Sequence, residues 1–127
     1  MVFSLRALPA QGDLKMNHRD FPAFVRQLPE AELPCKGVRG WLLDSAHGQV
    51  LFKEADTEAS LPEHSHGEQW GVVVDGRMEL TIDGYTRLYM RGDFYTIPAG
   101  KRHRSRVFPG FKSVDHYAEA SRYRRKA

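Results

Sequence analysis

The sequence predicts an all-β protein, a sandwich or barrel folded as a single domain. Three observations carry that reading. The chain has 127 residues, 41% of them apolar, which suits one domain with one sizeable core. Short runs rich in β-branched and aromatic residues follow one another from Val38 to Tyr117, about eight in all, with no long helical pattern among them. Gly, Pro and Asp separate the runs. Two of the separators are Asp-Gly pairs, Asp75-Gly76 and Asp83-Gly84, and Asp-Gly tolerates the two positive φ angles of a tight hairpin turn.

At the N-terminal end, Val2–Leu8 is an apolar patch broken by Ser4 and Arg6, too short for a secretory signal and followed by no small-residue cleavage site. Met16 offers an alternative start, which would make residues 1–15 a leader, an arm or an artificial extension. Phe21, Phe24, Val25 and Leu28 recur at i, i+3, i+4 and i+7, predicting a short helix with Asp20 as its N-cap and Pro29 as its stop. Residues 1–32 are thus read as an N-terminal segment outside the β domain.

Val38–Asp44 and Gln49–Glu54 read as two strands joined around Ala46-His47-Gly48. Trp70–Val74 is a β-branched run ending at Asp75-Gly76. Arg77–Ile82 alternates, with Met78, Leu80 and Ile82 on one face, and ends at Asp83-Gly84 before Tyr85–Met90. Two Asp-Gly turns eight residues apart predict a meander of three consecutive strands. Phe94–Ile97, the turn Pro98-Ala99-Gly100, Arg104–Val107 and Phe111–Tyr117 complete the series. Trp70, Tyr85, Phe94 and Tyr95 read first as core or interface aromatics, and residues 119–127 as a solvated basic tail.

Composition narrows the function classes. No apolar run approaches the ~20 residues a membrane span needs. The net charge of +3 is small, and its excess lies in two local clusters, Arg102/Arg104/Arg106 and Arg122/Arg124/Arg125/Lys126. Neither accompanies a nucleic-acid-reading motif, so neither nucleic acid nor membrane is expected as a partner. The single Cys35 makes no internal disulfide and fits a reducing, cytoplasmic compartment. No nucleophile elbow, P-loop or dinucleotide-binding glycine pattern is present.

The histidines carry the chemistry. His64 and His66 flank one residue, so on an extended strand both imidazoles face the same way, a ready chelate for a transition metal. His103 closes the pattern Gly92-x5-Pro98-x-Gly100-x2-His103, a strand, a turn and a His opening the next strand. His18, His47 and His116 have no such spacing and read as non-ligands. Arg102 and Arg104 flank His103 and read as surface pairs, and Cys35 has no partner in sequence to activate it.

The segment His64-Ser65-His66-Gly67-Glu68-Gln69-Trp70-Gly71-Val72-Val73-Val74-Asp75-Gly76 resembles the first cupin motif, and Gly92–His103 is similar to the second. Residues 77–91 separate them, similar to the short spacing of small single-domain cupins with an H-x-H-x-x-Q-W-G signature. The resemblance covers about residues 33–118. It implies a double-stranded β-helix, the RmlC-like jelly-roll barrel, with a metal inside its mouth and one divalent ion per chain. By resemblance His64, His66 and His103 are ligands, and the fourth position falls on Gln69 where the family usually has Glu. Strict alternation from His64 and His66 would instead favour Glu68, but a bend at Gly67 can change the parity, and Gln69 is preferred. Val107 stands where the second motif usually ends in Asn.

Three neutral imidazoles and an amide oxygen leave the ion's charge uncompensated, favouring an anionic chelating ligand and stronger Lewis acidity. Zinc, nickel or manganese is expected ahead of iron. The first functional reading is therefore a non-redox isomerase or lyase acting on a small metabolite such as a sugar acid or keto acid, with Glu68, Tyr85 or Tyr95 moving protons. The alternatives are a cupin that binds or senses a small ligand without converting it, and a three-His dioxygenase. The complete ligand set separates a metal-dependent role from a plain binding module. A homodimer, joined through sheet faces and N-terminal strands, is what the resemblance implies.

Overall fold

The computed structural model describes residues 19–127, so the readings for Val2–Leu8, Met16 and His18 lie outside the described residues. Among the described residues, nine strands form two antiparallel sheets: β1 (Val38–Ser45), β2 (Gly48–Ala55), β3 (Ala59–His64), β4 (Gln69–Asp75), β5 (Arg77–Ile82), β6 (Tyr85–Met90), β7 (Phe94–Ile97), β8 (His103–Val107) and β9 (Phe111–Tyr117). The first sheet runs β1-β2-β9-β4-β7 and the second β3-β8-β5-β6. Neighbours far apart in sequence mark the crossovers of a jelly roll, two sheets packed face to face around one interior. Among the described residues, no helix is long and apolar enough to cross a membrane.

Alternation decides which residues enter that interior. Along β9, Phe111, Ser113, Asp115 and Tyr117 are buried, while Lys112, Val114 and His116 turn outward. Along β5, Met78 and Leu80 point inward as expected, each 2% exposed. The interior has two apolar ends, one around Val73, Met78, Tyr95, Ile97, Val107 and Phe111, the other around Ala31, Leu42, Leu51 and Tyr117. Between them, on strands that supply both ends, sit Lys53, Ser113 and Asp115. A polar layer thus cuts across the core.

Several elements differ from the sequence reading. The helix is one turn, α1 (Ala23–Arg26), with Pro22 rather than Asp20 at its N-cap and no side-chain cap. A turn that short is held by packing, here through Val25 (4% exposed), and beside it Phe21 packs edge-on against Trp41 and Phe52. β3 has no counterpart in the sequence reading. It is the edge of its sheet, where Pro62 removes no ladder bond that a neighbour needs, and its register slips between Leu61 and His64.

The predicted three-strand meander is half right. Asp83 (φ 49°) and Gly84 (φ 85°) make the tight hairpin between β5 and β6. At Asp75-Gly76 only Gly76 has positive φ, and β4 and β5 lie in different sheets. Gly76 is instead the corner where the chain changes sheets: a Cβ there would stand 2.8–2.9 Å from the Gly110–Phe111 backbone.

The basic tail keeps Arg124, Arg125 and Lys126 exposed, but it is tied back to the domain. Tyr123 donates its N–H to Gln49 Oε1 at 2.8 Å and accepts from Gln49 Nε2 at 3.0 Å, Arg125 grips Asp44, and Lys126 donates its N–H to the Glu30 carbonyl. Of the four aromatics, Tyr95 alone joins the core. Trp70 (42% exposed) and Phe94 (66%) pack against each other on the outer face of the five-stranded sheet, and Tyr85 (84%) begins β6.

Candidate metal centre

Ladder register brings the two distant motifs together. His64 ends β3 and His103 opens β8, and the antiparallel pairing sets them opposite each other. His66 follows two residues after His64, beyond the end of the strand, where the Gly100 N–H holds its carbonyl at 2.9 Å. The ring centroids lie 4.2 Å (His64–His103), 4.7 Å (His66–His103) and 5.2 Å (His64–His66) apart. One ring nitrogen from each imidazole falls within 4.8 Å of the others, so a small inward movement of the rings brings all three within about 2.0–2.1 Å of one shared ion. Among the described residues, this is the one cluster of His, Cys, Asp and Glu arranged to hold a metal.

Each imidazole is fixed by its other nitrogen. Nδ1 of His64, His66 and His103 faces the backbone carbonyl of Pro62, Gly67 and Lys101 at 2.7, 2.7 and 2.8 Å. A carbonyl only accepts, so each Nδ1 must donate its proton, and in the neutral ring Nε2 keeps a free lone pair. Nε2 of His66 and of His103 is buried with no hydrogen-bond partner. Orphaned acceptors of this kind cost stability unless something fills them, and an imidazole turned by a carbonyl on its far side is the usual arrangement around a bound metal.

Burial keeps the rings neutral. It lowers the pKa of His64, His66 and His103, and that of His103, which is 4% exposed, falls to about 4. The carbonyl bonds pull the other way, and the Arg122 guanidinium disfavours a further positive charge on all three. Neutral imidazole is the metal-binding form, so the site needs no proton release near neutral pH.

The strand break after His64 settles where residues 68 and 69 point. The chain bends at Gly67, Glu68 is exposed, and Gln69 begins β4 buried at 5% exposure. Gln69 lines a cavity of about 20 Å³ together with His64, His103, Lys53, Tyr95 and Tyr117. Its Nε2 donates to Asp115 Oδ1 at 2.9 Å and to the Tyr117 hydroxyl at 3.2 Å. Of the three proton-moving candidates, Tyr95 alone reaches the cavity; Glu68 and Tyr85 face solvent. Arg102 pairs with Glu63 at 2.7 Å, Arg104 is exposed, and His47 and His116 stand outside the histidine cluster.

Sequence reasoning missed the rest of the wall and the carboxylate behind it. Asp115, fully buried, accepts from Tyr95 Oη at 2.5 Å and Ser113 Oγ at 2.6 Å, with Lys53 Nζ 3.9 Å away. Burial first, and then the Asp115 charge, raise the Tyr95 pKa well above 10, so its hydroxyl stays protonated. Burial also raises that of Tyr117. Tyr123, from the tail, lines the same cavity and packs edge-on against Tyr117. A signal for Lys53 and Asp115 was present: Lys53 shares its strand face with Leu51 and Ala55, and Asp115 shares its face with Phe111 and Tyr117.

Residues 50–108 match the family described as Cupin domain. Among solved structures, an RmlC-like cupin from Shewanella frigidimarina is 23% identical, with 84% of this chain and 94% of that chain covered at a TM-score of 0.67. KdgF from a Halomonas species is 20% identical (72% and 87% covered, TM-score 0.64). Oxalate decarboxylase from Bacillus subtilis is 18% identical, covering 73% of this chain and 28% of that one at a TM-score of 0.62. No curated protein matches.

Proposed function

Since the chain belongs to the cupins, we propose that it is a metal-dependent enzyme of isomerase or lyase type acting on a small anionic metabolite such as a sugar acid or keto acid. The observation that carries the reading is the convergence of three imidazoles, each turned by a carbonyl behind it, with the His66 and His103 Nε2 atoms buried and unpartnered. His64, His66 and His103 would hold the ion, with the Gln69 amide oxygen as fourth group. A zinc, nickel or manganese ion bound there would supply Lewis acidity toward a carboxylate, carbonyl or water.

The protein's own groups favour an anion beside that ion. Lys53 places an ammonium on the cavity wall, only 5% of its surface exposed. Tyr117, held protonated by burial, presents an O–H group to the same space, while the Tyr95 proton is already given to Asp115. Asp115 already accepts from three donors, which fits it to holding the wall in place rather than to taking a substrate proton. A cavity of about 20 Å³ has room for little more than one water-sized group beside the imidazoles, so the body of the metabolite would lie toward the mouth. The name of the Bacillus neighbour also gives a small carboxylate as its substrate.

The exposed Trp70–Phe94 pair supports a homodimer through the outer face of the five-stranded sheet, and the unpaired Cys35 supports a cytoplasmic site of action. The test of function is a screen of small hydroxy, keto and sugar acids against protein loaded with Zn²⁺, Ni²⁺ or Mn²⁺, read by NMR for conversion and by melting for binding. Conversion that disappears in His103→Ala and weakens in Lys53→Ala is expected. Stabilisation by an acid without conversion would replace the enzyme with a ligand-sensing protein.

A further inference from the structure

Asp115 gathers several buried polar contacts. Its Oδ1 accepts from Gln69 Nε2 (2.9 Å) and Tyr95 Oη (2.5 Å), its Oδ2 from Ser113 Oγ (2.6 Å), with Lys53 Nζ 3.9 Å from the latter oxygen. It is fully buried, as is Ser113, and Tyr95 is 4% exposed. The meeting is possible because β4 runs between β7 and β9 with Gly71 opposite both Tyr95 and Asp115. A Cβ at Gly71 would overlap the Asp115 carboxylate and the Tyr95 ring. The two side chains meet across β4 in space that any other residue would fill.

A carboxylate accepts hydrogen bonds and cannot donate, so the group that Gln69 turns toward Asp115 must be its NH₂. The Tyr117 hydroxyl accepts from the same nitrogen. The amide is thereby oriented, and Oε1, which no donor among the described residues engages, is left for the cavity shared with His64 and His103. A glutamate in place of Gln69 would set a second carboxylate oxygen about 3 Å from Asp115 Oδ1, where like charges in a water-poor interior repel strongly.

We propose that Asp115 is a positioning residue which imposes a neutral amide at position 69 and aims its oxygen at the three histidines, so that the centre keeps an uncharged fourth group. This rests on the metal-centre reading for what lies opposite the oxygen, but the pairing itself is a property of the metal-free fold. Lys53 completes it: one carboxylate in this layer meets one ammonium, and a second would have no counter-charge.

The test is an exchange of the two groups. Gln69→Glu, Asp115→Asn, the double variant and Gln69→Met are melted without metal, then titrated with Zn²⁺ against a chromophoric chelator. Gln69→Glu should lower Tm by about 8 °C or more, and by clearly more than Gln69→Met, which removes the donor without adding charge. In the double variant the amide and the carboxylate trade places, so the hydrogen bond between the two positions is kept with its direction reversed. That variant should recover at least half of the loss and bind Zn²⁺ about tenfold or more tighter than the parent. If Gln69→Glu does not fold, folding of the double variant supports the pairing equally. Additive losses, or Gln69→Glu no worse than Gln69→Met, overturn the imposed amide. Recovery with unchanged Zn²⁺ affinity overturns the aim of the oxygen. Stoichiometric Zn²⁺ retained by His64→Ala would instead refute the metal centre and leave the apo-state coupling standing.

Discussion

Acid should destabilise the metal-free protein through its buried histidines. His103 is 4% exposed, and its pKa falls from 6.5 to about 4 on folding. The unfolded chain therefore takes up a proton first as pH drops. The stability this neutral imidazole contributes is fully present above pH 6.5, falls through the window from 6.5 to 4, and is lost below it. From pH 7.5 to 5 the loss from His103 alone comes to about 2 kcal/mol. For a chain of this size that is a fall in Tm of about 8 °C. His64 and His66, shifted the same way, add to it. Asp44, held low by its Gln49 hydrogen bond and then by Arg125, titrates beneath the window. Calorimetry of chelator-treated protein at pH 7.5, 6.5, 5.5 and 5 should show this slope, and His103→Phe should lose most of it. A flat Tm over that range, or an unchanged slope in His103→Phe, would refute the burial argument.

Gly71→Ala should destabilise by about 2–3 kcal/mol, because its methyl group overlaps Asp115 and Tyr95, which are locked together; denaturant melts showing less than about 0.5 kcal/mol would mean the network relaxes freely. Trp70→Ser combined with Phe94→Ser should convert a dimer to a monomer in light scattering with little change in secondary structure, whereas a parent that is already monomeric would end the sheet-face interface. Tyr123→Ala should loosen the tail and open the cavity mouth, seen as faster hydrogen exchange at residues 119–126, and exchange matching the parent would mean the tail is held by Arg125 and Lys126 alone.

Most of the strands were legible because their signal is local. Alternation and turn residues bounded Arg77–Ile82, Tyr85–Met90, Phe94–Ile97 and Phe111–Tyr117 where the structure places them. What local pattern cannot encode is the partner. Asp75-Gly76 reads like Asp83-Gly84, yet one changes sheets and the other closes a hairpin, a difference set by the Gly110–Phe111 backbone packed against Gly76. β3 escaped notice because Ser60, Pro62 and Glu63 suit an edge strand with one wet face. Among the site residues, the three histidines announced themselves by spacing. The Gln69 orientation required the bend at Gly67 to be known, and the Lys53–Asp115 layer required the register of β2 against β9 and β9 against β4. The tail was legible in part: Arg124, Arg125 and Lys126 do face solvent, while the contacts of Tyr123 and Arg125 back to Gln49 and Asp44 carry no local signal.

The central claim concerns where three nitrogens point, and the most direct measurement is a crystal of the protein grown with Zn²⁺ and recorded at the zinc edge. A single anomalous peak per chain about 2.1 Å from Nε2 of His64, His66 and His103, with the Gln69 amide oxygen beside it, is the predicted result. Anomalous density elsewhere, or none near these imidazoles at saturating Zn²⁺, would contradict the account.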